Sequence, residues 1–236
     1  MADKTGAFRV TLSSDPAMFE ADSLGRFDAV VLNNTNNEIF LPEKVESLSA
    51  SEQAEAVVAD ARLKQSFTEF LKRGGGLVVI HAGLASFRKW PEFGAIIGAR
   101  FDNHPWNSGS TVTLKIEDPK HPLMGAFPEP SFVLSDEIYQ FKTPYSREKL
   151  RVLLSLDTSK TELRRGRLAI RRTDDDFALS WIKNYGKGRV FYGALGHQHE
   201  IFWNPVMMRF YLDGIQFALG DLEADTDPVP QTQAGE

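Results

Sequence analysis

The first third of the chain alternates apolar strands with one long helical stretch. Phe8-Arg9-Val10-Thr11-Leu12 alternates as a half-buried strand would, with a turn or helix start at Ser13-Ser14-Asp15-Pro16, and residues 27–32 form a continuous apolar segment. Within residues 51–72, Phe67, Phe70 and Leu71 recur at helical spacing, which predicts a helix closed by Gly74. Residues 77–80 are apolar again. Strand, helix and strand in this order predict a parallel sheet covered on both faces.

Further along, residues 90–98 predict a short helix, 101–106 a polar and aromatic loop, and 110–116 an exposed strand. Residues 118–123 read as a turn, and 132–139 as an extended segment that brings Asp136 and Glu137 to its end. A buried strand is predicted at 151–156, followed by a polar, charged loop or hairpin over 158–176. Strands at 177–181 and 190–195 flank a glycine turn at 184–189, and 207–219 form an amphipathic helix stopped at Gly220. Residues 1–220 therefore read as one α/β domain, and 221–236, acidic and aperiodic, as a disordered tail.

Composition narrows the picture by exclusion. The 236 residues are 42% hydrophobic and 25% charged, enough for one sizeable core. The net charge is −5, with the 27 basic residues dispersed apart from a run at 164–172, which argues against nucleic acid as a partner. Cysteine is absent, so disulfides, zinc-thiolate sites and thiol nucleophiles are excluded. No apolar run reaches about 18 residues, so no membrane span is expected. The start of the chain lacks the apolar core of a signal peptide. The expected location is cytoplasmic as the chain stands, and periplasmic or secreted if the natural start lies upstream. A homo-oligomer is compatible with the sequence, which does not specify one.

The chemistry concentrates around strand ends. Gly74-Gly75-Gly76-Leu77-Val78-Val79-Ile80-His81-Ala82-Gly83 places a histidine where an apolar strand stops, with Gly83 suited to a turn that a side chain would obstruct. His197 follows another apolar strand, so both imidazoles are expected at one sheet edge. His104 sits in Asp102-Asn103-His104-Pro105-Trp106, and Asn33-Asn34-Thr35-Asn36-Asn37 offers amides and a hydroxyl after an earlier strand. Trp90, Trp106, Tyr139 and Trp203 supply aromatic faces that stack on a sugar ring, while carboxylates, Asn and His bond its hydroxyls. Each of these residues also has a bland reading, as a strand cap or as core.

His81 and His104 are candidate proton carriers near neutrality, with Asp136 and Glu137 as catalytic or orienting carboxylates. Asn33, Asn34, Trp106, Tyr139 and His197 are candidate substrate contacts. His197-Gln198-His199-Glu200 lacks the spacing of a helical zinc pair. His104 and His197, joined by His81 and one carboxylate, still form a candidate site for zinc, manganese or nickel. No Gly-x-Ser-x-Gly elbow is present, and the glycine clusters lead into strands, which disfavours a serine hydrolase and a phosphate-cradling loop.

Taken together, the motifs 74–82, Trp90-Pro91-Glu92-Phe93, 101–106 and Asp136-Glu137-Ile138-Tyr139 resemble the ThuA-like (trehalose utilisation) family. The same holds for Trp181, for Tyr185-Gly186-Lys187-Gly188-Arg189-Val190-Phe191-Tyr192, and for Ala194-Leu195-Gly196-His197. The resemblance runs from Phe8 to Gly220. It implies a flavodoxin-like, class I glutamine amidotransferase-like fold: an open, mostly parallel sheet with helices on both faces. It also implies a small-molecule sugar as partner, with trehalose and 3-keto-glycoside metabolism as the setting. The nucleophilic cysteine of amidotransferases is absent from the comparable turn His81-Ala82-Gly83, which rules out a glutaminase. The first strand of the family has no counterpart ahead of residues 8–12. An enzyme using acid–base or metal-assisted chemistry on a keto-sugar leads the readings. A non-catalytic carbohydrate-binding module is the alternative, and a flavodoxin-like cofactor binder stands third.

Overall fold

In the computed structural model, which describes residues 1–163 and 170–229, seven strands form one open sheet. The strands are β1 (Ala29–Asn33), β2 (Gly76–Ile80), β3 (Arg100–Ile116), β4 (Ser131–Lys142), β5 (Arg151–Leu156), β6 (Ala178–Tyr185) and β7 (Gly188–Gly193). Their spatial order is β1-β2-β7-β6-β5-β3-β4. Helices are α1 (Ala2–Thr5), α2 (Ala21–Leu24), α3 (Ala50–Lys72), α4 (Pro91–Ile97) and α5 (Pro205–Leu219). None of the described helices is long and apolar enough to cross a membrane.

The sheet is α/β and open, but mixed rather than mostly parallel. Only β1–β2 and β2–β7 pair in parallel, and the rest of the sheet is antiparallel. The reason is connection length. The 23-residue helix α3 gives β1 and β2 a crossover, whereas β6 and β7 are joined by the tight Gly186 turn and can only run antiparallel. The helix α3 begins at Ala50, one residue earlier than expected, because Ser49 and Glu52 form a reciprocal capping box.

Helices cover both faces, as the alternation along β7 shows. Phe191 packs on Phe210 of α5 with rings 5.4 Å apart. The next residue, Tyr192, faces the other way against Trp181, whose indole nitrogen donates to the Ile97 carbonyl of α4 at 2.7 Å. Every residue of β2 is buried, so the central parallel strand reads as an unbroken apolar run.

Four local expectations change. Residues 8–12 form no strand, and Val10 and Leu12 are 62% and 94% exposed, because no described strand lies beside them to pair with. Residues 101–106 are not a loop but the start of β3, carried by register shifts between Phe101, Asn103, Trp106 and Ser110. Bulges of this kind tolerate Pro105 and polar side chains within a strand. Within residues 110–116, Val112, Thr113, Leu114 and Ile116 are buried rather than exposed, as β3 pairs there with β4 and, from Leu114 to Ile116, also with β5. Finally, residues 221–229, expected in the disordered tail, lie against the body. Arg151 donates to the Asp227 carbonyl at 2.9 Å and Asn184 to the Thr226 hydroxyl at 2.8 Å. Part of the expected 158–176 loop, residues 164–169, and the end of the tail from residue 230 lie outside the described residues.

The β3–β4 hairpin has a further property that matters for chemistry. Only Leu114, Lys115 and Ile116 tie β3 to β5. The remainder of the hairpin arches back over the sheet, so that Phe141 of β4 packs edge-on against Trp181 and Tyr192 at 5.1 and 5.7 Å. The register shifts supply the bend. As a result β4, at the far edge of the sheet by pairing order, reaches the ends of β2 and β7.

Candidate functional site

The site assembles where these two parts meet. His81 is the first residue after β2 and adopts a left-handed backbone, φ 47°. Such a conformation is costly for a residue with a side chain and persists where the surroundings hold it. Gly83 explains the tight turn: a Cβ there would fall 2.4 Å from the Leu32 carbonyl oxygen. The His81 ring is 1% exposed and held on two sides. Its Nδ1 lies 2.6 Å from the Ala194 carbonyl oxygen, which can only accept, so Nδ1 carries the proton. Nε2 is then free to accept the Tyr139 hydroxyl at 3.0 Å, and the two rings stack at 4.4 Å.

Glu137 and Tyr139 are two residues apart on β4 and share a face. Glu137 is the hub of the cluster. One of its oxygens lies 3.3 Å from His81 Nε2 and 3.4 Å from His197 Nδ1, and the other lies 3.3 Å from His104 Nδ1. Burial pushes the Glu137 carboxyl up, but the imidazoles grouped around it outweigh that and hold it below the usual range. Burial and the neighbouring Glu137 charge push the Tyr139 hydroxyl well above its ordinary range, so it stays protonated as a donor.

Access is graded across the cluster. His104 and His197 are 32% and 43% exposed, whereas Glu137 is 11% exposed and His81 closed off behind it. A ligand arriving from solvent therefore meets the two outer imidazoles first. His104 Nδ1 is buried and, among the described residues, has no hydrogen-bond partner despite its proximity to Glu137.

Asp136 plays a different part from its neighbour. Fully buried, it accepts backbone N–H bonds from Gly196 at 2.6 Å, His197 at 3.3 Å and Gln198 at 2.8 Å. It anchors the loop that presents His197, a positioning role rather than contact with a ligand. Asn34 braces the same loop, donating to the Gly196 carbonyl at 3.0 Å and accepting from the Ala82 N–H at 3.3 Å. Asn33 ends β1, is exposed, and makes no side-chain hydrogen bond to the cluster among the described residues. Trp106 is core: 3% exposed, edge-on to Phe177, with its indole N–H on the Glu162 carbonyl at 3.0 Å. It offers no free face for stacking. Tyr139 likewise spends its face on His81. Trp203 is 72% exposed, and Trp90 stacks with Phe93 beside the site.

Sequence reading missed the Ala194 carbonyl, since no motif marks a backbone acceptor. It also missed Gln140, a buried amide that donates to Asn103 and to Asp102 and so satisfies polar groups in the bulged part of the hairpin.

The donor set fits a divalent cation. Ligand atoms of His81, Glu137 and His197 lie within 4.8 Å of one another. His81 has the arrangement common in metal sites, one ring nitrogen fixed by a carbonyl and the other turned inward. His104 stands on the other oxygen of Glu137 instead of within that trio.

A family model described as "ThuA: Trehalose utilisation" matches residues 1–218. Among solved structures, a ThuA-like protein of Bacteroides uniformis superposes with a TM-score of 0.66 at 22% identity, covering 89% of this chain and 77% of that one. Two cytoplasmic proteins of Salmonella typhimurium each superpose with a TM-score of 0.55. One is 14% identical and covers 89% of this chain and 76% of its own; the other is 13% identical and covers 88% and 79%. These likenesses establish the shared fold. No curated protein matches the chain.

Proposed function

The chain belongs to the ThuA, or trehalose utilisation, family, and from that premise we propose that it is an enzyme of trehalose or 3-keto-glycoside metabolism that moves protons on a small keto-sugar. One observation carries the reading: a single carboxylate, Glu137, is bracketed by three imidazoles at 3.3–3.4 Å. A binding module does not need three imidazoles on one carboxylate, whereas proton transfer beside a carbonyl needs a base, an acid and a group that orients both.

The roles follow from exposure and contacts. Ionised Glu137 beside Nδ1 of His104 and of His197 favours the tautomer with the proton on that nitrogen, leaving each Nε2 as an acceptor. One outer imidazole takes the proton from the carbon next to the ketone, and the C–H electron pair becomes the C=C bond of an enediol. The other imidazole, in its protonated form, gives its proton to the ketone oxygen. Collapse of the enediol returns an O–H proton to the second imidazole; the first imidazole gives its proton to the former ketone carbon in isomerisation, or to the glycosidic oxygen as the C–O bond breaks in elimination. His81, closed off from solvent and fixed by Tyr139, lies against Glu137, and Asp136 holds the loop of His197. A divalent cation held by His81, Glu137 and His197 would polarise the ketone or a sugar hydroxyl.

The test is turnover of a panel of 3-keto-glycosides by the protein and by Glu137→Gln, with thermal melting to confirm folding. The expected loss is about 10²–10⁴-fold. Unchanged turnover in a folded variant overturns the proposal.

A further inference from the structure

Beside the imidazole cluster lies a cavity of about 170 Å³, walled by Trp90 and Phe101 and lined by Arg88, Arg100, Lys142 and Asp102. Phe101 is the partition between the two. Its ring is 4.7 Å from that of Tyr139 and 6.4 Å from that of His104.

The cavity carries an excess of positive charge. Among the described residues, no carboxylate is ion-paired with Arg88, Arg100 or Lys142, and Asp102 is already paired with Arg171 at 2.6 Å. The two arginines are nevertheless held in place. Arg88 donates to the Ala85 carbonyl at 3.2 Å, and its guanidinium lies 5.6 Å over the Phe101 ring. Arg100 donates to the Arg88 carbonyl at 3.1 Å. Its stem runs along α4 at Gly94, where a Cβ would come within 2.7 Å of Arg100 Cγ. A neutral sugar calls for acceptors as well as donors. Cations without acid partners, set between aromatic walls, suit an anionic group joined to a ring with apolar faces.

We propose that this cavity is an anion subsite of the active centre, taking the carboxylate or phosphate of an acidic sugar whose ketone-bearing carbons lie toward Glu137. The assignment rests on the keto-sugar reading above and adds the class of substrate: a charged sugar rather than a neutral disaccharide.

The experiment is calorimetric titration of the full chain with glucuronate, glucose 6-phosphate and glucose, repeated on the Arg100→Gln/Lys142→Gln double variant and on Glu137→Gln. At least one charged sugar is expected to bind, with glucose tenfold weaker or more. The double variant should lose about tenfold or more of that affinity, and added salt should weaken binding to the parent protein. Preference for glucuronate assigns a carboxylate, and preference for glucose 6-phosphate assigns a phosphate. Glucose binding as tightly as both charged sugars, no binding by either, or a double variant that binds them unchanged overturns the subsite. Glu137→Gln separates the two readings. It should retain charged-sugar binding within a few-fold, so lost anion binding counts against the subsite and unchanged turnover against the catalytic reading.

Discussion

The parallel part of the sheet and the arched β3–β4 hairpin contribute to the same site in opposite ways. In β2 and β7 the strands themselves are almost wholly buried, and chemistry starts only where they end, at His81 and His197. In the hairpin the chemistry lies within the strands: His104, Asp136, Glu137 and Tyr139 are all strand residues. The first arrangement draws its precision from a rigid apolar layer. The second draws it from bulges that bend a hairpin over the layer, with buried polar groups paired to each other and to backbone. A site can thus be built from loop residues on one side and strand residues on the other, provided something holds the seam.

The sharpest way to break the seam chemically is Glu137→Gln, which removes the carboxylate that lies against imidazoles from both parts. Turnover should fall by about 10²–10⁴-fold with little change in melting temperature. The seam can also be broken mechanically. Phe141→Ala removes the ring that fixes the arch on Trp181 and Tyr192 and should cost about 3–5 kcal/mol. Leu77→Ala, in the parallel layer, should cost a comparable 2–5 kcal/mol. The two should part company in activity. At a temperature where both variants are folded, Phe141→Ala should also lose turnover, because it frees the hairpin, and Leu77→Ala should not. Denaturant melts paired with turnover assays check this.

Asp136→Asn sits next in size. It weakens three backbone contacts to a buried carboxylate, and a loss of about 2–3 kcal/mol is expected. Amide exchange should speed up at Gly196 and Gln198 while β2 remains protected, which hydrogen exchange resolves. The smallest effect concerns acid. Glu137 titrates lower in the folded chain than its ordinary 4.5. Its contribution to stability is therefore complete above that value and is lost as pH falls through the lower folded value. Melts from pH 7 down to pH 3 should show a steeper loss in the parent protein than in Glu137→Gln.

The same division explains what could be read from the chain. Residues 77–80 and the greater part of 190–195 read correctly as strands because burial on both faces leaves an unbroken apolar run, and His81 stands out against it; the second strand runs from Gly188 to Gly193, two residues earlier than its apolar run suggests. The long helix before β2 was legible through Phe67, Phe70 and Leu71. Residues 101–106 were not, because Asp102, Asn103 and His104 carry loop-like chemistry. Only tertiary contact shows that Gln140 and the bulges accommodate them in a strand. Trp106 looked like a stacking surface for the same reason: composition cannot distinguish an indole on the core from one facing a ligand. Asp136 and Glu137, adjacent in sequence, proved to have separate tasks once alternation along β4 turned one to the backbone of the 196–198 loop and the other to the imidazoles. The cations of the neighbouring cavity, Arg88, Arg100 and Lys142, are scattered over 55 positions and form no motif.

The most direct test of the seam needs no substrate. Imidazole nitrogens can be followed by NMR in the parent protein and in Glu137→Gln, and two of the five histidines, His121 and His199, have no contact with Glu137 and serve as internal references. The ring resonances of His81, His104 and His197 are all expected to move in Glu137→Gln while those of His121 and His199 stay in place. Three unmoved rings would show that Glu137 does not join the hairpin to the strand ends.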